Sequence, residues 1–140
     1  MEWSSNMDSR QPQGRAILLV EDDPDIREAI QDVLTEEGYD VAVADTGLQA
    51  LDRLRCGEPL PDLILLDLMM PVMDGWQFRA EQRRHPDWGA IPVIVLSAVG
   101  NTHEKADSIG ALGCLRKPLD IDELLDMLQR VLPDAAREVG

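Results

Sequence analysis

Several polar side chains suited to metal or phosphoryl chemistry come directly after short apolar runs of the chain. Three of them are carboxylates, and two carboxylates about 4 Å apart repel by about 4 kcal/mol at an effective dielectric near 20. A divalent cation removes that repulsion, and Mg²⁺ prefers oxygen ligands of this kind. A carboxylate beside a metal ion and an ammonium group can attack phosphorus, which predicts a phosphoryl-transfer site. The side chains are Glu21, Asp22, Asp67, Ser97 and Lys117.

The elements that would bring these residues together alternate between strand-like and helix-like patterns. Apolar residues at helical spacing, such as Ile26, Ile30 and Leu34, separate the short apolar runs. Such alternation predicts an α/β fold with a parallel sheet covered on both faces. We take the doubly wound, flavodoxin-like strand order 2-1-3-4-5 from known folds, and it brings the carboxyl ends of the strands to one edge. The five predicted strands are 16–20, 41–44, 63–66, 91–96 and 112–116, and the five predicted helices cover about 24–37, 48–57, 75–84, 102–109 and 121–132.

The length of 140 residues is typical of one compact domain. Residues 1–14 show no hydrophobic periodicity and are predicted to form a flexible leader, and 133–140 a short tail. We therefore expect a single domain over 15–132. Neither tail is long enough for a DNA-binding or catalytic module, so we also expect a free-standing domain.

The charge balance excludes several classes of function. With 27 acidic and 13 basic residues the net charge is −14, which repels phosphate backbones, so we expect no direct contact with nucleic acid. No apolar run approaches the roughly 20 residues of a membrane helix, so we expect no membrane insertion. Cys56 and Cys114 are too few for a disulfide framework, which favours a cytoplasmic location.

The segments around these polar residues resemble the receiver domains of two-component response regulators. The resemblance implies Mg²⁺ as cofactor, with Mn²⁺ as a substitute, and a histidine kinase or histidine phosphotransfer protein as phosphoryl donor. It also implies output through protein–protein contact or a phosphorelay, to an unknown downstream protein. We expect a signalling domain rather than an enzyme, one that promotes its own phosphorylation and slow dephosphorylation. The matching segments are 17–24, 62–75, 92–98 and 115–118.

Carried over position by position, the resemblance gives each polar residue a role. Taken alone, each has a structural interpretation: acids cap helices, serine occupies turns, and a lysine before proline lies on the surface. Their joint occurrence at four predicted strand ends favours a site. The implied roles are phosphoacceptor for Asp67, direct metal ligand for Asp22, acid holding metal through water for Glu21, backbone-carbonyl ligand for Met69, mobile hydroxyl for Ser97 and phosphoryl-binding lysine for Lys117.

Two features depart from the family pattern or modify it. Cys114 stands where receivers commonly carry an aromatic ring that turns inward, and a cysteine has no ring to rotate, so we do not expect the usual aromatic read-out. A packed small residue is a better interpretation than a redox switch. Met69 and Val99 flank the predicted site with apolar side chains, which cannot orient an attacking water. We therefore expect slow autodephosphorylation.

Other readings stay open at this point. The chain could be a receiver excised from a hybrid kinase or larger regulator, or a pseudo-receiver that binds partners without phosphorylation. An aspartate-nucleophile hydrolase would need a second acid two residues after Asp67, where Met69 stands. A nucleotide or flavin binder would carry a glycine-rich loop after the first strand, where acids stand instead.

Overall fold

A computed structural model describes residues 15–56, 60–70, 72–98, 104, 107 and 109–132. Strands and helices alternate along these residues, and both are numbered here in chain order. The strands β1 to β5 are Ala16–Val20, Asp40–Ala44, Leu63–Asp67, Val93–Ser97 and Gly113–Arg116. The helices α1 to α4 are Pro24–Glu36, Gly47–Cys56, Gly75–Arg83 and Ile121–Val131.

The five strands form one parallel sheet in the order β2-β1-β3-β4-β5, which confirms the predicted order 2-1-3-4-5. Val20 at the end of β1 pairs with Ala44 of β2 and Leu66 of β3. Asp67, one residue further along β3, pairs with Leu96 of β4. The carboxyl ends of these strands therefore meet at one edge of the sheet.

Apolar side chains divide between two cores, one on each face of the sheet. One core joins Ile17 and Leu19 of β1 to apolar side chains of α1 and α4. The other joins Leu18 and Val20 to those of α2 and α3. Every residue of β3 is buried, as its wholly apolar run predicts. Because burial of a large aliphatic side chain contributes about 1.5–3 kcal/mol, these cores hold the strand ends firmly.

Aspartates cap the N-termini of three helices, each of which follows a strand of the sheet. Asp23 accepts two backbone N–H groups of the first turn of α1, and Asp120 does the same for α4. Asp74 forms a capping box with Gln77 at the start of α3. The sequence alone indicates the caps at Asp23 and Asp120, because each stands directly before a run with apolar residues at helical spacing. Each such cap contributes about 1 kcal/mol.

The helix count differs from the prediction. The described residues contain four helices, not five. Most of the predicted helix from about Thr102 to Ile109 lies outside the described residues, as do the predicted leader 1–14 and tail 133–140. Among the described helices, none combines the length and apolarity that a bilayer-spanning segment needs.

The fourth strand begins and ends later than predicted. Ile91 is in a turn, where its N–H donates to the carbonyl of Trp88. Pro92 has no N–H to donate to a ladder, so β4 starts at Val93. Ser97 is consequently the last residue of the strand rather than the first residue after it.

Candidate functional site

Three carboxylates converge at the carboxyl edge of the sheet. Glu21, Asp22 and Asp67, here called the acid cluster, each offer an oxygen, and these oxygens lie within 4.8 Å of one another. Glu21 is fully buried, Asp67 is 2% exposed, and Asp22 is more open than either. Two buried acids this close cannot both be charged at low cost unless cations lie beside them.

The turn after β1 holds Glu21 in place through its backbone and its side chain. Its N–H donates to the carbonyl of Ala44 at the end of β2 (3.0 Å), and its carbonyl accepts a hydrogen bond from Arg27 Nη1 (2.9 Å). Its Oε2 accepts the N–H of Asp23 (3.2 Å). The remaining carboxylate oxygen, Oε1, is therefore directed into the acid cluster.

Asp67 owes its position to the end of β3 and to the start of α3. Its Oδ1 accepts the backbone N–H of Met69 (3.1 Å). The chain then returns so closely that the N–H of Gly75 bonds the carbonyl of Leu68 (3.0 Å). A Cβ at Gly75 would lie 2.8 Å from the Cα of Leu68 and 3.1 Å from the carbonyl oxygen of Asp67, so only glycine fits.

Lys117 brings a positive charge to the acid cluster. Its Nζ lies 2.8 Å from Glu21 Oε1 and 3.4 Å from Asp67 Oδ2. The Lys117 N–H donates to the carbonyl of Ser97 (3.0 Å), and the peptide bond to Pro118 is cis. Glu21 Oε1 is buried and has no hydrogen-bond partner of good geometry, so its contact with the ammonium is an ion pair.

The electrostatics of the cluster are uneven. Burial, then the charge of Glu21 and a hydrogen bond with Asp22, raise the pKa of Asp67 to about 7, although Lys117 and the Met69 amide act in the opposite direction. Burial opposes the charge of Lys117, but its contacts with Glu21 and Asp67 prevail and raise its pKa. Because the ammonium lies nearer Glu21, Asp67 is the acid with the less compensated charge.

The structure brings most of the predicted site residues together. Asp67 and Lys117 are in contact, and Glu21 and Asp22 complete the cluster. Ser97 lies at the same edge, fully buried at the end of β4. The role of the Met69 carbonyl stays a prediction; its N–H binds Asp67, and its side chain is 54% exposed. Val99 lies outside the described residues.

Sequence reasoning missed two contributors to this site. The sequence gives Arg27 no role, because an arginine in a solvated, acidic helix is usually a surface residue. The feature of the sequence that points to this contact is the position of Arg27, one helical turn after the acids. Gly75 belongs to one of the matching segments, but the sequence does not show that its lack of a side chain lets α3 start against the strand end.

The donor set of the acid cluster fits a hard divalent cation. All three groups offer carboxylate oxygens, and these lie close enough together to share one ion. Mg²⁺ is usually bound directly by one or two carboxylates and keeps several waters, and the more open Asp22 leaves room for those waters. Neither nitrogen nor sulfur donors belong to the cluster, which disfavours zinc.

Comparison with known proteins agrees with this geometry. The family model described as "Response regulator receiver domain" matches residues 17–129. The chain belongs to this family. The chain is thus a receiver domain of two-component signalling, a class whose members are typically phosphorylated on aspartate and act in phosphorelays.

Curated relatives of this receiver domain differ in length. Sporulation initiation phosphotransferase F of Bacillus subtilis is 37% identical over 119 residues, which cover 84% of this chain and 93% of that protein. "Probable transcriptional regulator ycf29" of Pyropia yezoensis is 36% identical over 125 residues, 88% of this chain but 54% of that protein. The receiver domain thus spans nearly the whole of one relative and about half of others.

Solved structures of receiver domains superpose on this one. The chemotaxis protein CheY4 of Vibrio cholerae gives a TM-score of 0.76 at 33% identity, covering 84% of this chain and 98% of that one. The receiver domain of sensor histidine kinase PA1611 of Pseudomonas aeruginosa gives 0.75 at 33%, covering 85% and 98%. That structure has a magnesium ion coordinated in its active-site cleft.

Proposed function

We propose that Asp67 of this receiver domain accepts a phosphoryl group from the phosphohistidine of a histidine kinase or histidine phosphotransfer protein, in a step that requires Mg²⁺. One observation carries the proposal: Asp67 is a buried carboxylate that shares one edge of the sheet with two further acids and an ammonium group. Phosphoryl transfer needs positioning and charge neutralisation more than it needs an acid or a base.

In the proposed step a carboxylate oxygen of Asp67 forms a bond to phosphorus while the phosphorus–nitrogen bond of the donor breaks. The electron pair of that bond leaves with the imidazole nitrogen. The Met69 N–H holds Oδ1, and Oδ2 faces Lys117 Nζ at 3.4 Å, so the carboxylate enters the reaction in a fixed orientation. The ammonium of Lys117 and the hydroxyl of Ser97 are assigned to the phosphoryl oxygens.

The carboxylates of Glu21, Asp22 and Asp67, together with the Met69 carbonyl, would hold the ion, and Mn²⁺ can replace Mg²⁺ at oxygen ligands. When bound, the metal supplies positive charge that offsets the charge of the phosphoryl oxygens. The magnesium ion in the PA1611 receiver supports this assignment.

The competing functions fit the site less well. A hydrolase of the aspartate-nucleophile class needs a proton donor two residues after Asp67, and the Met69 thioether has no proton to give. A pseudo-receiver has no need of a lysine ion-paired within the acid cluster. We therefore propose a signalling domain that promotes its own phosphorylation without turnover of a substrate.

The output of this domain is part of the proposal. Similarity along nearly the whole of sporulation initiation phosphotransferase F supports a relay or protein-contact role for a single domain. Similarity to half of longer regulators supports a receiver within a larger protein equally well. We propose a cytoplasmic location and an output through contact with a downstream protein, without direct contact to nucleic acid.

Intact mass after incubation with phosphoramidate and Mg²⁺ tests the chemistry. We expect the wild type to gain one phosphoryl group and Asp67→Asn to gain none. Asp45→Asn is a matched control, because Asp45 also follows a strand at this edge but is exposed and outside the acid cluster. If the wild type gains no phosphoryl group, a pseudo-receiver becomes the better reading.

A further inference from the structure

Arg27 touches the backbone of the acid cluster from the first turn of α1. Its Nη1 donates to the carbonyl oxygen of Glu21 at 2.9 Å, and its own N–H donates to the carbonyl of Asp23 at 2.9 Å. The arginine side chain therefore folds back from the helix over the turn that carries the two acids. It lies within the described part of the site, but it is neither a metal ligand nor a phosphoryl contact in the proposed function.

The residue between these two contacts is Asp22. On one side, Arg27 fixes the carbonyl of the Glu21–Asp22 peptide; on the other, Asp23 caps α1. Because a peptide unit is planar, fixing its carbonyl also fixes the N–H and Cα of the following residue. The direction in which the Asp22 side chain leaves the turn thus depends on Arg27.

The orientation of Asp22 depends on a hydrogen bond of this kind more than the orientation of the other two acids does. Glu21 is fully buried and makes hydrogen bonds through its backbone and its side chain, and Asp67 lies at the end of a central strand. Asp22 is the most open of the three and lies beyond the last pair of the β1 ladder. Groups that orient metal ligands through one further contact commonly change metal affinity by about tenfold or more when removed.

We infer that Arg27 is a positioning residue for the metal site: its hydrogen bond to the Glu21 carbonyl sets the Asp22 carboxylate for Mg²⁺. This inference rests on the proposed function, because it presupposes that the acid cluster binds Mg²⁺. The charge of Arg27 acts in the opposite sense, since a guanidinium repels a nearby cation. A purely electrostatic role would therefore make Mg²⁺ bind more tightly when the charge is removed.

Calorimetric titration with MgCl₂ at constant ionic strength separates the two roles. Arg27→Met keeps much of the chain length but has no donor, and we expect it to weaken Mg²⁺ binding about tenfold. Arg27→Lys keeps a donor of similar reach and the same charge, and we expect it to recover most of that loss. Urea unfolding in EDTA measures how much stability each variant loses without metal.

Arg53→Met is the matched control. Arg53 Nε donates from α2 to the carbonyl of Val43 (2.6 Å), so it is likewise a helix arginine bound to a backbone carbonyl, but outside the acid cluster. We expect this variant to keep the wild-type Mg²⁺ affinity. The inference is overturned if Arg27→Met binds Mg²⁺ as tightly as the wild type or more tightly. It is also overturned if Arg27→Lys binds as weakly as Arg27→Met, or if Arg53→Met loses as much Mg²⁺ affinity as Arg27→Met. An absence of saturable binding in the wild type would overturn the proposed function as well.

Discussion

Asp67 has to be ionised to attack phosphorus, yet its surroundings favour the protonated acid. Burial and the charge of Glu21 raise its pKa to about 7, so near neutral pH the metal-free protein holds both forms. Lys117 reduces this effect only in part, because its ammonium lies closer to Glu21. An added cation favours the carboxylate, so metal binding and deprotonation of Asp67 support each other.

The affinity for Mg²⁺ is accordingly expected to depend on pH. The ion binds the carboxylate, so below about pH 7 a proton competes with it and affinity should fall up to about tenfold for each pH unit. Above about pH 8 it should reach a plateau. Titrations between pH 5.5 and 8.5, a range chosen to span roughly the Asp67 midpoint, measure this. In Asp67→Asn the dependence around pH 7 should disappear; a wild-type affinity that is flat from about pH 6 to 8 would contradict the assignment.

In the proposed phosphorylated form, we expect the residues two positions after Asp67 and after Ser97 to influence the lifetime of the phosphoryl group. The exposed thioether of Met69 cannot orient a water molecule for attack on phosphorus, and neither can Val99, which lies outside the described residues. We expect the double variant Met69→Asn, Val99→Glu to lose its phosphoryl group about tenfold faster, a barrier lower by about 1.4 kcal/mol. Decay of the purified phosphoprotein in EDTA-quenched samples gives the rates, and equal rates in variant and wild type would refute the idea.

At the scale of elements, the junction between β3 and α3 places Asp67. The helix starts so close to the strand end that its first residue has no room for a side chain. Its N-terminal capping box, made by Asp74 and Gln77, fixes the same point from the other side. The position of the Asp67 carboxylate thus depends on the lack of a side chain at Gly75 as well as on hydrogen bonds.

Gly75→Ala is expected to destabilise the fold by about 2 kcal/mol, because its Cβ would meet the backbone of Leu68. Urea unfolding measures the loss. Gly47→Ala is the control: Gly47 is also the buried first residue of a helix, but the three atoms nearest its new Cβ all belong to the flexible side chain of Met73 rather than to backbone. We expect the control to lose clearly less stability, and similar losses in both variants would contradict the role of the close backbone contact.

Sequence patterns predicted the elements well because each is specified locally. The wholly apolar run of β3 and the capping aspartates Asp23 and Asp120 carry their own signals, and the structure confirms all three. Contacts between residues far apart carry no such signal. That Lys117 pairs more closely with Glu21 than with Asp67 depends on the relative placement of β1, β3 and β5, which no local pattern specifies.

At the scale of the whole molecule, the acid cluster is a local excess of negative charge within a chain of net charge −14. Folding brings Glu21 and Asp67 out of water and close together, whereas in the unfolded chain they are far apart and hydrated. Their repulsion therefore opposes folding, and Lys117, whose ammonium contacts both acids, offsets part of it. A metal ion bound to the cluster would act on the stability of the entire fold.

Mg²⁺ should accordingly stabilise the folded state, by about 2.7 kcal/mol when its free concentration is about 100 times the dissociation constant. Urea unfolding in MgCl₂ and in EDTA, with NaCl added to equal ionic strength, measures the gain apart from general screening of the net charge. Asp22→Asn should lose most of it. The gain in stability from Mg²⁺ should be larger at pH 8 than at pH 6. With its pKa raised to about 7, Asp67 holds a proton in the metal-free folded protein that the unfolded chain has already released. The metal-free folded protein therefore loses stability as the pH rises toward 7. A gain that NaCl alone reproduces, or that Asp22→Asn retains, would show that the carboxylates do not bind the ion as a cluster.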